Sequence, residues 1–174
     1  MVEEDTVIRP LVESDLPAAL AIQSAVYPSF LVETADAFAS RLHVSTQFCL
    51  AAAYHGKLVA YLLAHGWPQQ SPPTIGAILT TPASSEVLFL HDLAVSPNGR
   101  GLGLGRKMVE RAFELAAHQK LTRAELIAVE GAATYWRTLG FAQADVSVEL
   151  GAKLELYGQD AQWMSREIPD FASL

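Results

Sequence analysis

"HDLAVSPNGRGLGLGRKMVERAFELA", residues 91–116, decides how this chain is read. An apolar run ends in the glycines Gly99, Gly101, Gly103 and Gly105, and an amphipathic helical pattern follows directly. Alternating glycines remove Cβ atoms where a strand gives way to a helix, so a ligand can approach the backbone closely. The first N–H groups of a helix point outward and its dipole favours negative charge, so the stretch has the makings of an anion cradle. Arg100 and Arg106 add positive charge beside it. The remaining sequence has to say which anion, and for what purpose.

Bulk properties narrow the answer. The chain has 174 residues, 51% of them hydrophobic, enough to bury the core of one domain, taken as residues 1–174. Apolar runs such as "CLAAAY" and "LVAYLLA" are too short to span a bilayer, so no membrane partner is expected. "MVEEDTVIRP" lacks the basic start and apolar core of a signal peptide, and the single Cys49 fits a reducing compartment. A cytoplasmic location is therefore expected. The five histidines are scattered and no zinc-type cysteine spacing occurs, so no metal is expected. A net charge of −7 argues against nucleic acid, which needs a basic surface, and is compatible with a cationic or amine-bearing partner. Monomer and homodimer both remain open.

Working outward from the glycine run, the chain reads as alternating strands and helices. "TVIRP" is a first strand; "ESDLPAALAIQSAVYP" is a helix with Ser14 as N-cap, early Pro17, and Leu16, Leu20 and Val26 as its apolar stripe. A second helix is expected over Thr34–Val44, capped by Thr34. "QFCLAAAYH" and "KLVAYLLAHGW" form a hairpin turning at His55–Gly56–Lys57. Pro68–Ser85, rich in proline, serine and threonine, is a surface loop placed to cover a site. Glu86–Val95 is a largely apolar, central strand; a helix runs from Gly103 to His118; Arg123–Val129 is a further strand. "GAATYWRTLGF" is a short helix stopped by Gly140, and "VSVELGAKLELY" and "AQWMSREI" are strand candidates. The result is a mixed α/β (α+β) architecture without internal repeats.

Three anion-binding motifs compete for the glycine run. A P-loop needs Gly-Lys-Ser/Thr, but Gly105 is followed by Arg106, Lys107 and Met108. A dinucleotide fingerprint needs G-x-G-x-x-G early in the chain, whereas G-x-G-x-G stands late here. The third pattern is Arg100-x-x-Gly103-x-Gly105, set between a central strand and a helix. It resembles the R/Q-x-x-G-x-G/A loop of the GCN5-related N-acetyltransferase (GNAT) superfamily. "YWRTLGF" is similar to that family's "FYxxxGF", and the order of elements matches across nearly the whole chain.

The resemblance implies a single-domain GNAT-like fold, with a mixed sheet of about six to seven strands flanked by helices and splayed at the coenzyme A site. It implies acetyl-CoA as cosubstrate, its pyrophosphate held by Arg100, Gly101, Leu102, Gly103, Leu104, Gly105 and Arg106. Leu93, Ala94 and Val95 line the acetyl and pantetheine path through their backbone, and Trp136 lies beside it. The activity implied is acetyl transfer to a primary amine of a small molecule or protein by direct attack in a ternary complex.

That chemistry needs a neutral amine, a polarised thioester carbonyl and a protonated leaving thiolate. "FLHDLAV" resembles the "HLHALAV" type of segment in arylalkylamine N-acetyltransferases, which makes His91 the candidate base. Phe89 stands where those enzymes carry a first histidine, which leads to the expectation that a histidine pair is impossible here. Simple alternation puts Phe89, His91, Leu93 and Val95 on one face and Leu90, Asp92 and Ala94 on the other, leaving Asp92 a structural role. The family's acid, a tyrosine four residues before the glycine, is Trp136 here; adjacent Tyr135 is the candidate acid, though neighbours on a helix diverge by about 100°. Val129 replaces a pantetheine-contacting asparagine. The competing readings are a coenzyme A-binding module without turnover and an interaction domain with no nucleotide, with His91 then a buried core residue.

Overall fold

The computed structural model describes residues 5–44, 47–82 and 84–171. The elements are β1 (Thr6–Pro10), α1 (Leu16–Val26), α2 (Ala35–Val44), β2 (Leu50–Tyr54), β3 (Lys57–Trp67), β4 (Val87–Val95), α3 (Leu104–His118), β5 (Arg123–Ala128), α4 (Ala133–Thr138), β6 (Ala142–Gln143), α5 (Val148–Glu155) and β7 (Gln162–Glu167). The strands form one seven-stranded sheet in the order β1-β2-β3-β4-β5-β7-β6. Neighbours are antiparallel except β4 and β5, which run parallel.

Local chemistry explains most boundaries. His55 and Gly56 both have positive φ, 49° and 78°, as the tight β2–β3 hairpin turn requires. Thr34 Oγ1 accepts the Ala37 N–H at 3.2 Å and caps α2. At α1 the expected Ser14 cap is displaced, because a 3-10 turn over Glu13–Asp15 precedes the helix. Asp15 instead accepts the Val12 N–H and pairs with Arg9. The larger departure is "VSVELGAKLELY", a strand candidate that forms α5. Ser147 caps it by accepting the Leu150 N–H at 3.1 Å. Leu150 and Leu154, four residues apart, pack on Phe89 and Trp163, while Val148 is left exposed. The helical period, rather than the Val-x-Val alternation, therefore decides this segment.

Each sheet face carries its own core. On one, α3 presents Leu104, Met108, Val109, Ala112, Phe113 and Ala116, joined by Trp136 and Phe141. On the other, α1 and α2 cover Ala51, Tyr61, Leu63 and Ala94, with α5 beside them over Phe89 and Trp163. β3 and β4 are covered on both faces, which accounts for their nearly continuous apolar sequence.

Trp136, 8% exposed, stands edge-on to Phe141 with ring centroids 5.4 Å apart. Trp136→Ala should cost about 3 kcal/mol through the cavity it leaves. A urea titration followed by circular dichroism reads this directly.

Candidate functional site

The site begins with an irregularity in β4. Across β3, Leu63 pairs with Asp92 while Ala64 pairs with Leu90, so His91 is an extra residue on β4. Such a bulge resets the alternation and increases the local twist. Phe89, Asp92 and Ala94 consequently lie opposite His65, Leu63 and Tyr61 on the α1/α2 face. The His91 ring joins them, 5.8 Å from the Phe89 ring and 5.7 Å from that of His65. Leu93 and Val95 turn to the α3 face with Leu90. The alternation expected from the sequence is thus corrected: Asp92 shares a face with His91, and Leu93 does not.

Past the bulge, β4 also leaves β5. The two strands pair only at Leu88–Ala124 and Phe89–Glu125. The gap opens a cavity of about 310 Å³ between Leu90 and Leu93 of β4 on one side and Ile127 of β5 and Val129 just past its end on the other. It continues through the sheet to Val26, Tyr27, Glu33 and Ile75.

A buried polar cluster backs this cavity. Arg41 of α2 is 0% exposed and donates to Glu33, to the carbonyls of Ala37 and Ala77, to Ser40 Oγ, and through Nε to His91 Nε2 at 3.1 Å. Glu33 Oε1 lies 2.9 Å from the same His91 nitrogen. Through one atom, neutral imidazole either accepts from Arg41 or donates to Glu33, so the tautomer of His91 decides which of the two bonds is made. Burial works to raise the Glu33 pKa, but the His91 hydrogen bond, the charges of His91 and Arg41, and the Gly76 amide together hold it below the usual value. Asp92 Oδ2 accepts from Tyr61 OH at 2.6 Å. Burial raises its carboxyl to about 6. The fully buried His65 is pushed well below the ordinary histidine range by desolvation and by the nearby charge of His91, and stays neutral. A second histidine, from β3 rather than from position 89, thus lies beside His91, although neither of its ring nitrogens has a hydrogen-bond partner among the described residues.

The glycine loop forms a second cavity, about 470 Å³, with Arg100, Gly101, Gly103, Gly105 and Arg106 on its wall. Gly101 and Gly103 have φ of 81° and 68°, left-handed values that glycine adopts without strain. The first intrahelical bond of α3 runs from Lys107 N to Gly103 O, which frees the amides of Leu104, Gly105 and Arg106 for a ligand. The Leu104 side chain is buried and that of Leu102 packs against the core, so both address the loop only through their backbone. Ala94 is likewise buried, under Tyr61. Tyr135 projects from α4 toward α3, where a Cβ on Gly105 would run into its hydroxyl. Tyr135 and Leu93 line both cavities and mark where they meet. Trp136 turns inward to the core and shows only an edge to the first cavity.

The segment after β3 lies as a strap across the α1/α2 face. It is pinned by Gln70 N to Glu125 at 2.9 Å, Tyr157 OH to Pro73 O at 2.7 Å, Gly76 N to Glu33 at 3.1 Å and Leu79 N to Ser40 Oγ at 2.9 Å. His91, Tyr135 and the glycine loop, all singled out in sequence, thus border connected cavities. Glu33, Arg41 and His65 were not singled out. Arg41 reads as an ordinary basic residue in the last turn of a helix, and only its neighbours in space reveal its burial.

Several comparisons bear on the chain as a whole. A curated relative, the uncharacterized N-acetyltransferase YkwB of Bacillus subtilis (strain 168), is 24% identical over 135 residues, which are 69% of this chain and 59% of that protein. The loading GNATL domain of CurA from Lyngbya majuscula superimposes with a TM-score of 0.75 at 13% identity, covering 94% of this chain and 98% of that one. Arabidopsis thaliana Naa50, solved with the bisubstrate analogue CoA-Ac-MVNAL, gives a TM-score of 0.67 at 14% identity over 93% and 98% of the two chains. At such identities these structures establish the shared fold alone. The acetyltransferase (GNAT) family model matches residues 16–141, most of the sequence, and the chain belongs to that family.

Proposed function

We propose that this chain, acting as one acetyltransferase domain, transfers the acetyl group of acetyl-CoA to a primary amine by direct attack in a ternary complex. The observation that carries this reading is the meeting of two cavities at Leu93 and Tyr135, one walled by the glycine loop and the other backed by His91, Glu33 and Asp92. Free helix amides, Arg100 and Arg106 suit a diphosphate. The gap between β4 and β5 suits an extended pantetheine arm, with the backbone of Leu93, Ala94 and Val95 along one side. Acetyl-CoA supplies the activated acyl group when bound.

The chain's own residues deal with protons. An alkylammonium has a pKa of about 10 and must lose a proton before it attacks. That proton passes to His91, directly or through water, and Glu33 stabilises the imidazolium by exchanging for the Arg41 hydrogen bond. Asp92, beside His91 at the bulge, holds the amine end of the site anionic. Its sign follows from burial: below about pH 6 the carboxyl is neutral, and above it ionised. Tyr135 stands where it can hydrogen-bond near the departing sulfur, and its hydroxyl is kept protonated because burial raises its pKa against the opposing charge of Arg106. A reading without turnover is favoured by Val129 and Trp136 in place of the family's polar side chains, and by the prior engagement of His91 Nε2. Thiol release from acetyl-CoA with a panel of amines separates the two. Raised melting temperature with no thiol release would leave a coenzyme A-binding module.

Gly103→Val forces a β-branched residue into left-handed φ at the loop, and should raise KM for acetyl-CoA at least tenfold, about 1.4 kcal/mol. An unchanged KM in a folded variant removes the diphosphate cradle. His91→Ala should lower kcat roughly 10²-fold, the usual scale for a lost proton acceptor. In the wild type, kcat/KM should rise with pH through about 6, and Asp92→Asn should abolish that limb. A limb that survives in Asp92→Asn assigns it to another group. Tyr135→Phe should slow turnover less than about tenfold, the value of one hydrogen bond rather than of an obligatory acid. A loss above a hundredfold would make Tyr135 the acid.

A further inference from the structure

The peptide groups of β4 at the junction of the two cavities have a definite orientation. Ser96 N–H donates to Val59 O at 2.8 Å, so these two residues form a hydrogen-bonded pair. Bonded and non-bonded pairs alternate along an antiparallel ladder. Counting back through Val95–Ala60 and Ala94–Tyr61 makes Leu93, opposite Leu62, a non-bonded residue. Its N–H and C=O therefore both point away from β3, into the gap that β5 leaves after Phe89–Glu125. In a complete sheet the next strand would satisfy both groups. Here the carbonyl is satisfied by Tyr27, whose OH donates to Leu93 O at 2.8 Å. That bond is made although Asp92 is close enough to act on the same hydroxyl, and although Asp92 Oδ1 is buried without a partner among the described residues. The phenol is delivered from a fixed base. Tyr27 closes α1, its N–H donating to Gln23 O at 3.0 Å. The buried Gln23 side chain in turn holds the backbone of Glu33, accepting from its N–H at 2.9 Å and donating to its carbonyl at 3.2 Å.

We infer that Tyr27 is a positioning residue for the acyl donor: its hydroxyl stands in for the missing strand at Leu93 O and leaves the Leu93 N–H to meet the donor's thioester oxygen. A thioester oxygen gathers negative charge when an amine attacks its carbon. A bare carbonyl in the same gap would oppose that charge, whereas one that already holds a proton donor has its dipole offset. Donation to Leu93 O also polarises the Leu93–Ala94 peptide and strengthens the bond from Ala94 N–H back to β3, which steadies the strand edge where it stands alone. Burial, together with the charge of Asp92, raises the phenol well above its ordinary range, so it remains a donor. The inference rests on the reading of this site as one for acetyl-CoA, and it is read out before any amine is added.

The test uses the full chain and acetyl-CoA labelled with carbon-13 at the thioester carbonyl, followed by isotope-edited infrared spectroscopy. Bound to the wild type, the labelled carbonyl should absorb at lower frequency than in free acetyl-CoA. Tyr27→Phe should lose most of that shift. In thiol release with an accepted amine, its kcat should fall about tenfold, the scale of one hydrogen bond, while KM for acetyl-CoA stays within about twofold because the glycine loop is untouched. Replacing Tyr27 with para-aminophenylalanine, which keeps a weaker donor on the ring, should give a shift between those of Tyr27→Phe and the wild type. Tyr61→Phe, which removes a neighbouring hydroxyl that serves Asp92 instead, should keep the full shift. If Tyr27→Phe does not fold, the aminophenylalanine protein decides: a shift smaller than the wild type's upholds the inference, and an equal one overturns it. A shift that is absent from the wild type, survives in Tyr27→Phe, or is lost equally in Tyr61→Phe also overturns it, and thiol release by the wild type then leaves acetyl transfer standing. The full pattern of shifts without thiol release upholds the role of Tyr27 toward the thioester and removes acetyl transfer alone.

Discussion

One extra residue in β4 governs the architecture of this site. Placing His91 between the Leu63–Asp92 and Ala64–Leu90 pairs turns two consecutive polar side chains toward the same face. It also returns Leu93 and Val95 to the α3 face, where they pack against the core next to the glycine loop. The strand departs from β5 at the same place, since pairing ends at Phe89–Glu125. A bulge and a loss of pairing at one point have a common cause in the twist that the additional residue introduces. Without it, the polar cluster and the gap between the strands would not adjoin.

The cluster behind the bulge is costly to build. A guanidinium with no exposed surface has given up its hydration, and Arg41 compensates with a carboxylate, an imidazole, a hydroxyl and two carbonyls. Its partners come from the α1–α2 connection, β4, α2 itself and the strap. One side chain therefore ties together segments that are distant in sequence, and the strap is anchored through the same residues that surround His91. Breaking such a pair by removing one partner typically costs about 3–5 kcal/mol. Arg41 is accordingly a structural commitment of the fold as well as a neighbour of its chemistry.

Legibility in the sequence followed the range of the interactions. Turns, caps and periodic helices are local, and the hairpin at His55–Gly56, the Thr34 cap and the long helix after Gly103 were all readable. The glycine loop was readable because its constraint lies in backbone torsions and in adjacency to α3. The bulge was not, since an added residue leaves no mark in a strand that is apolar on both faces; assuming strict alternation reversed the sides of Leu93 and Asp92. Segment 146–157 was ambiguous because Val146 and Val148 alternate while Leu150 and Leu154 keep helical spacing, and packing on Trp163 settled it. His65 and Arg41 gain their importance only from residues 26 and 50 positions away along the chain.

The close approach of Tyr135 to Gly105 couples the two positions sterically. The motif that this loop resembles tolerates glycine or alanine at its last position, but an alanine methyl at 105 would take the space of the Tyr135 hydroxyl. The hydroxyl is the far end of a side chain that is 42% exposed, so it can swing aside without harm to the core. Alanine there would preserve the fold and the anion loop while withdrawing the phenol from the junction of the two cavities. Changes at the two sites are then non-additive: once Tyr135 is gone, alanine at 105 has nothing left to displace. A chain without the tyrosine could take alanine at 105 at no further steric cost, and one that kept it could not.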